Sequence, residues 1–155
     1  DLKKSEFLQS LTDEMLEKLL PITEVLEVES REIIFNEGDP AKNFYLVKSG
    51  RVLLEQKLAK DVLVNVRAID PGEAFGLSVV LNKDNCAMTA ICDEAATLFV
   101  INGNDLCNLM EEDHSIGYLF MQHTSKVLHK RWLMRTEQFI KTLKTHPDIS
   151  ALETM

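Results

Sequence analysis

Between residues 22 and 101 the sequence alternates short apolar runs with turn signals, which restricts the chain to a mainly β fold. The run at 33–35 is followed by residues 36–40, where Asn and Gly accept positive φ and Pro fixes the exit. Later turn signals are Ser49-Gly50 and Asp70-Pro71-Gly72, and they separate the runs at 44–47, 52–54, 62–66 and 96–101. Regular short strands of this kind predict a sandwich or a closed roll.

Helical patterns flank the β region. Thr12 is a good N-cap with two acidic residues in the first turn, and Pro21 ends that helix. A long helix is expected from about His114 to about Leu143. We therefore predict N-terminal helices in 1–21, a β-roll in 22–113 with a cassette at 72–89, the long helix at 114–143, and a tail at 144–155.

Composition indicates one ordinary globular domain. The 155 residues are 45% hydrophobic and 27% charged, and no apolar run approaches the roughly 18 residues of a membrane span. The N-terminal residues lack a signal-peptide core, and three cysteines without paired spacing favour a reduced, cytoplasmic setting. A net charge of −8 argues against a domain that wraps nucleic acid.

The charge is unevenly distributed. Between Lys126 and Lys144 six basic residues accompany one acidic residue, Glu137. Such a segment is either a solvated helix face or a docking strip for an acidic partner, DNA included.

Three motifs occur in order along the β region: Phe-x-Glu-Gly-Asp-x-Ala at 35–41, Tyr-Leu-Val-x-x-Gly-x-Val at 45–52, and Gly-Glu-x-Phe-Gly at 72–76. Together they resemble the cyclic-nucleotide-binding domain family over residues 5–143. The resemblance implies a β-roll (a double-stranded, jelly-roll-like β-helix) closed by helices. The final helix is similar to the dimerisation helix of catabolite-activator-like bacterial regulators.

The family's cassette reads Phe-Gly-Glu-[Leu/Ile]-Ala-Leu, then a short loop and Arg-[Ala/Ser/Thr]-Ala-[Thr/Ser]. In the family the glutamate accepts from the ribose hydroxyl, the arginine donates to the cyclic phosphate, and free N–H groups of a short helix face that phosphate. Here Leu77 and Cys86 occupy the two positions. Neither can replace the missing group, so we predict no cAMP or cGMP binding in the family's usual manner.

The same resemblance predicts a ligand site at the cassette. Its members are Gly72, Phe75, Gly76, Leu77, Ser78, Cys86, Ala87, Met88 and Thr89. A neutral pocket of this kind suits an effector that is less charged than a cyclic nucleotide. Alternatively, the pocket binds no ligand. Lys83, in the connecting loop, is a candidate substitute cation. No other cofactor and no metal are expected.

The sequence contains no catalytic signature. There is no nucleophile elbow, no P-loop and no paired-carboxylate arrangement with a plausible base, and all four histidines fall outside the roll. We therefore predict that the chain is not an enzyme.

The long helix carries two apolar stripes. The first, which we assign to a dimer helix, contains Ile116, Phe120, His123, Val127 and Met134, and the second contains Met121, Leu128, Trp132 and Phe139. Two stripes indicate one face on the chain's own roll and one on a partner helix, as in a homodimer. The alternative is a single broad buried face.

The leading hypothesis is a dimeric, non-enzymatic regulatory or sensor module that signals through its last helix to an unidentified regulatory protein. One alternative is the effector domain of a Crp/Fnr-like transcription regulator without its helix-turn-helix here. The other is a ligand-free interaction scaffold. As given, the chain is expected to contact neither membrane nor nucleic acid.

Overall fold

The computed structural model describes residues 2–60, 62–81 and 85–147. It is mainly β with flanking helices and a long C-terminal helix, as predicted. The strands are β1 (Thr23–Val28), β2 (Ile33–Phe35), β3 (Asn43–Ala59), β4 (Val62–Ile69), β5 (Ala74–Phe75) and β6 (Thr89–Asn102). The α-helices are α1 (Asp13–Leu19), α2 (Ser78–Leu81), α3 (Gly103–Glu112) and α4 (His114–Lys144), and 3₁₀ turns span Leu2–Lys4 and Leu20–Ile22. The chain divides into two compact units, residues 1–120 and 121–155.

The strands form one antiparallel sheet in the order β1-β6-β3-β4, with β2 also paired to β6 and β5 to β3. The longest ladder joins β3 and β6, from Asn43 opposite Asn102 to Glu55 opposite Thr89. Because both strands are long and bulged, each serves several partners, which is how a sheet curls into a roll.

The observed conformation at Gly50 differs from the predicted turn at Ser49-Gly50. β3 continues through this position, and the ladder to β6 shifts register on both sides of it. Gly50 has a φ of +80°, and a Cβ there would lie 2.3 Å from the Ala95 carbonyl oxygen. The predicted reversal at Ser49-Gly50 is therefore wrong: the glycine forms a β-bulge where two strands approach closely.

The interior of the roll is apolar. Its buried residues are Val28, Tyr45, Val47, Val52, Leu54, Ile69, Phe75, Ala90, Cys92, Ala96 and Leu98.

A second aromatic cluster ties the N-terminal segment to the start of α4. The Phe120 ring lies 4.9 Å from Phe7 and 5.0 Å from Phe44, centroid to centroid. Ile116 and Phe120 are fully buried in the first unit. The structure thus corrects their assignment to a dimer helix, because neither lies on a free face.

The helix ends follow local sequence. The Thr12 hydroxyl accepts from the Met15 amide at 3.3 Å, which confirms the predicted N-cap of α1. The Asn102 side chain caps α3 by accepting from the amides of Asn104 and Asp105. The long helix, predicted from about His114 to about Leu143, is observed over His114–Lys144.

Candidate functional site

The cassette turns sharply at Gly76, between β5 and α2. Gly76 has a φ of +73°, which residues with a side chain rarely adopt. A Cβ here would lie 2.7 Å from the Asn43 carbonyl oxygen and 2.9 Å from the Tyr45 ring. The backbone path therefore requires glycine at position 76, and this turn brings the start of α2 close to β3.

The segment before this turn is fixed to β3. The Gly72 amide donates to the Val47 carbonyl at 2.8 Å, and the Val47 amide donates to the Glu73 carbonyl at 3.0 Å. Phe75 pairs with Tyr45 in the ladder, and their stacked rings have centroids 4.8 Å apart. Phe75 is fully buried, so its observed role is to anchor the cassette in the core.

Glu73, the acidic residue of the cassette motif, is occupied within the fold. Its carboxylate lies 2.6 Å from an Nη atom of Arg67 and accepts from the Asp70 amide at 3.0 Å. Both side chains are largely buried, while the Arg67 Nε is buried without a hydrogen-bond partner. The carboxylate therefore holds the 70–73 turn and cannot replace the family's ribose-binding glutamate from this position.

Leu77 and Cys86 give the cassette a neutral character. Leu77 is buried, and Cys86 is half-buried. Burial raises the pKa of the Cys86 thiol, and the nearby Asp39 carboxylate raises it further. The thiol is therefore uncharged near neutral pH, and the Asp39 carboxylate that acts on it is negative. This environment disfavours a phosphate.

The far end of the cassette is held by the turn between β2 and β3. The Cys86 amide donates to the Asp39 carbonyl at 2.7 Å, and the Gly38 amide donates to the Cys86 carbonyl at 2.8 Å. The Thr89 hydroxyl accepts from the Glu37 amide at 3.0 Å. The turn at 36–40 therefore fixes the position of residues 86–89.

The remaining predicted ligand residues are distributed between surface and core. Ala87 is exposed, whereas Ser78 and Met88 are partly buried, and Met88 packs against the roll interior. Lys83, the candidate substitute cation, lies outside the described residues. Whether these side chains bind a ligand stays a prediction.

Tyr45 joins the two halves of the cassette and was not among the predicted site residues. Its ring lies under Gly76, and its hydroxyl accepts from the Asn43 amide side chain at 3.3 Å. Burial raises the pKa of Tyr45, the Asn43 hydrogen bond lowers it, and the neighbouring Cys86 raises it. The spacing of Asn43 and Tyr45 in the sequence could have indicated this contact, because residues two apart lie on the same face of a strand.

Two cavities border the cassette. One of about 390 Å³ touches Gly72 and is lined also by Lys4, Ser5, Val47, Lys48, Pro71 and Phe99. The other, of about 670 Å³, touches Thr89 and is lined also by Asn36, Glu37, Lys57, Leu58, Ala59 and Leu63.

The cassette helix leads directly into α3. Val79 in α2 is buried against Gly103, where a Cβ would lie 2.0 Å from the valine Cγ2. The Cys107 thiol donates to the Val79 carbonyl at 3.8 Å. The two helices are therefore in direct contact, and a movement of α2 toward α3 is blocked unless α3 moves as well, because close-packed groups cannot interpenetrate.

Asp113 organises the junction between α3 and α4. One carboxylate oxygen accepts from the amides of Ser115 and Ile116, at 3.1 and 3.3 Å. The other lies 2.7 Å from the Lys18 Nζ of α1. The Lys18 hydrogen bond and then the Ile116 amide hold the pKa of Asp113 below its usual value.

Across residues 2–60, 62–81 and 85–147, no group of three or more His, Cys, Asp or Glu side chains is arranged to hold a metal ion. In the same part of the chain, no helix has both the length and the apolar character that crossing a bilayer requires.

Comparison with known proteins agrees with the geometry. The family profile described as "Cyclic nucleotide-binding domain" matches residues 25–113, more than half of the chain. A Geobacter metallireducens GS-15 structure assigned to the cyclic nucleotide-binding proteins is 26% identical, with a TM-score of 0.74 over 84% of this chain and 95% of that one. The Thermus thermophilus catabolite activator protein shares the fold at 22% identity, with a TM-score of 0.74 over 90% of this chain and 63% of that one.

Among curated proteins, lysophospholipase NTE1 of Kluyveromyces lactis is 27% identical over 146 residues. The match covers 93% of this chain but only 9% of that protein's length.

Proposed function

Because the chain belongs to the cyclic nucleotide-binding domain family, we propose that it is a non-enzymatic regulatory module with a cassette that no longer selects a cyclic nucleotide. The observation that carries the proposal is the pair Leu77 and Cys86. A buried alkyl side chain and a neutral thiol beside Asp39 stand where the family has its two nucleotide-binding side chains.

The expected loss of affinity is large. Hydrogen bonds to charged groups contribute about 1.5–3 kcal/mol each. Two such bonds amount to about 3–6 kcal/mol, and each 1.4 kcal/mol is a factor of ten in Kd. Replacing both groups therefore weakens binding of cAMP or cGMP by about two to four decades.

The direct test restores the missing groups. We expect calorimetry to detect no cAMP binding by the natural chain at micromolar concentrations, and to detect it in Leu77→Glu/Cys86→Arg. A matched control, Leu133→Glu/Gln138→Arg, adds the same charges at exposed positions of α4 and should stay inactive. Because Glu at the buried position 77 strains folding, Cys86→Arg alone, at a half-buried site, is the second variant. Micromolar cAMP binding by the natural chain would refute the proposal.

The effector that we propose is a less charged molecule than a cyclic nucleotide. The cassette offers the Tyr45 hydroxyl, the Cys86 thiol and apolar groups. A thermal-shift screen should therefore favour neutral compounds over cyclic mono- and dinucleotides. A ligand present at 100 times its Kd stabilises the folded state by about 2.7 kcal/mol. A screen without any stabiliser would favour the ligand-free scaffold instead.

The output that we propose runs through the helices that follow the cassette. Val79 against Gly103 links α2 to α3, and Asp113 links α3 to α4. An effector that repositions α2 would thereby bias α4, and the effect is measurable as a coupling free energy between the cassette and the helix. Fluorescence of Trp132 in α4, the only tryptophan, should then change on effector binding.

We further propose a weak homodimer through the exposed part of the first stripe. Val127 is partly buried and Met134 is 46% exposed, but Lys130 interrupts the stripe between them. A short contact of this kind predicts self-association at tens of micromolar, which Val127→Glu should abolish in sedimentation velocity. A strict monomer at these concentrations would refute the dimer and leave the cassette proposal intact.

A further inference from the structure

The cavity of about 390 Å³ that touches Gly72 lies on the outer face of the roll. Val47 and Leu98 face the roll interior and are opposite each other in the β3–β6 ladder. Because successive residues of a strand alternate between its two faces, the next residues, Lys48 and Phe99, lie on the outer face. Both line the cavity, and its volume is within the range of about 300–1,000 Å³ that small-molecule sites occupy.

Hydrogen bonds hold the walls of this cavity in place. The Ser5 hydroxyl donates to the Gly72 carbonyl at 3.1 Å and accepts from the Phe7 amide at 3.2 Å. The Gly72 amide in turn donates to the Val47 carbonyl at 2.8 Å. The N-terminal segment, the turn at 70–73 and β3 are therefore fixed relative to one another, and the cavity is part of the folded structure.

The cavity has an apolar floor and a cationic rim. Val47 and Phe99 are buried, whereas Lys4 and Lys48 are exposed. The Lys48 Nζ lies 5.7 Å from the centroid of the Phe99 ring, a cation–π distance that keeps this ammonium group over the floor. Among the described residues, the lining contains two ammonium groups and no carboxylate side chain.

The carboxylates next to the cavity in the sequence are matched by other cations. Asp70 and Glu73 flank Pro71-Gly72. The Arg51 Nε lies 2.9 Å from an Asp70 carboxylate oxygen. An Nη atom of Arg67 lies 2.6 Å from a Glu73 carboxylate oxygen. Because each guanidinium group balances one of these negative charges, the two lysines set the sign of the potential in the cavity.

We propose that this cavity binds a small organic anion, an aromatic body that carries a carboxylate or a phosphate group. The aromatic body packs on Phe99 and Val47, and the anionic group lies between Lys4 and Lys48. A bare inorganic anion would leave the apolar floor in water, and a neutral aromatic compound would gain nothing from the ammonium groups. The site goes beyond the proposed function, since its lining includes neither Leu77 nor Cys86.

Amide NMR of the full chain provides the test, with benzoate and phenyl phosphate as probes. At millimolar concentration both should shift the amide resonances of Ser5, Lys48 and Gly72. The tighter of the two probes identifies the anionic group as a carboxylate or a phosphate. Benzamide, which is neutral, and inorganic phosphate, which lacks the ring, should each bind about tenfold more weakly.

Lys4→Met and Lys48→Met keep an apolar stem and remove the charge. Each should weaken binding of phenyl phosphate by about two- to fivefold, because an exposed ion pair contributes modestly, and the double variant by about tenfold. The matched control, Lys60→Met, removes an exposed lysine from the β3–β4 hairpin and should change the affinity less than about twofold. Cys86→Arg should also leave the affinity unchanged, which separates this site from the cassette.

Three results would overturn the proposal. The first is the absence of amide shifts at Ser5, Lys48 and Gly72 with both probes. The second is equal affinity for benzamide or for inorganic phosphate, which would assign the cavity to neutral compounds or to an adventitious ion only. The third is equal affinity of Lys4→Met/Lys48→Met and the Lys60→Met control. Circular dichroism of each variant verifies that the roll still forms.

Discussion

Val79 packs so closely against Gly103 that any side chain on residue 103 would overlap it. A Cβ there would lie 2.0 Å from the Val79 Cγ2 and 3.0 Å from the Lys42 carbonyl oxygen. The Gly103 amide donates to that same carbonyl at 2.8 Å. The cassette helix, the start of β3 and the first residue of α3 therefore meet at one backbone position.

Gly103→Ala should destabilise the chain by about 1–3 kcal/mol, because the added methyl group overpacks a closed contact. Urea unfolding measures the change. In Val79→Ala/Gly103→Ala the clash is relieved, so the double variant should lose less stability than the sum of the two single losses. Strictly additive losses would show that the contact is not the cause.

Gly76→Ala should destabilise more than Gly38→Ala. Both glycines have positive φ, +73° and +87°, so both substitutions carry a left-handed backbone cost of about 1–2 kcal/mol. Only Gly76 also faces neighbours, because nothing lies within 4 Å of a Cβ at Gly38. The difference between the two unfolding free energies isolates the clash with Asn43 and Tyr45. Equal losses would indicate that the cassette turn relaxes away from β3.

The β architecture could be predicted because turn residues and strand residues alternate along the sequence. The turn at 36–40, the Thr12 cap and the long helix all follow from local chemistry. Gly50 was misassigned because positive φ alone does not distinguish a reversal from a bulge. Gly50 forms a bulge because the backbone of Ala95 and Ala96, which are distant in sequence, lies against it.

The site was less predictable than the fold. Leu77 and Cys86 could be identified by position, but the carboxylate beside Cys86 belongs to Asp39, 47 positions earlier in the numbering. Similarly, the sequence places Ile116 and Phe120 on one apolar stripe of a helix, and this pattern is the same whether the stripe packs on a partner or on the chain's own core. Only the packing of Phe7 and Phe44 on Phe120 decides between the two.

Asp113 should make stability fall in acid. The folded-state pKa of this carboxyl lies below its ordinary value of 3.8, so its contribution is complete above that value and is lost as pH falls through the folded pKa. At pH 7 we expect the natural chain to be more stable than Asp113→Asn. That variant keeps a capping oxygen and should in turn be more stable than Asp113→Ala.

The unfolding midpoints of the natural chain and Asp113→Asn should converge below about pH 4. Lys18→Met removes the other partner of the ion pair and serves as the matched control. It should lower stability at pH 7 and reduce the further effect of Asp113→Asn without abolishing it, because the Ser115 and Ile116 amides still donate to the carboxylate. A constant difference between pH 7 and pH 3 would contradict an electrostatic role for Asp113.

Cys86 should react slowly with a disulfide reagent at neutral pH. Burial and the Asp39 carboxylate raise the pKa of its thiol above the ordinary 9.0, and only the thiolate is the nucleophile. In a Cys92→Ala/Cys107→Ala background, the rate should rise steeply up to and beyond pH 9. Asp39→Asn, which can still accept from the Asn36 amide, should accelerate the reaction severalfold at pH 8. Glu111→Gln removes an exposed charge from α3 and should leave the rate unchanged. If Asp39→Asn has no effect, the carboxylate does not act on the thiol, and the electrostatic part of the argument against phosphate at the cassette loses its basis.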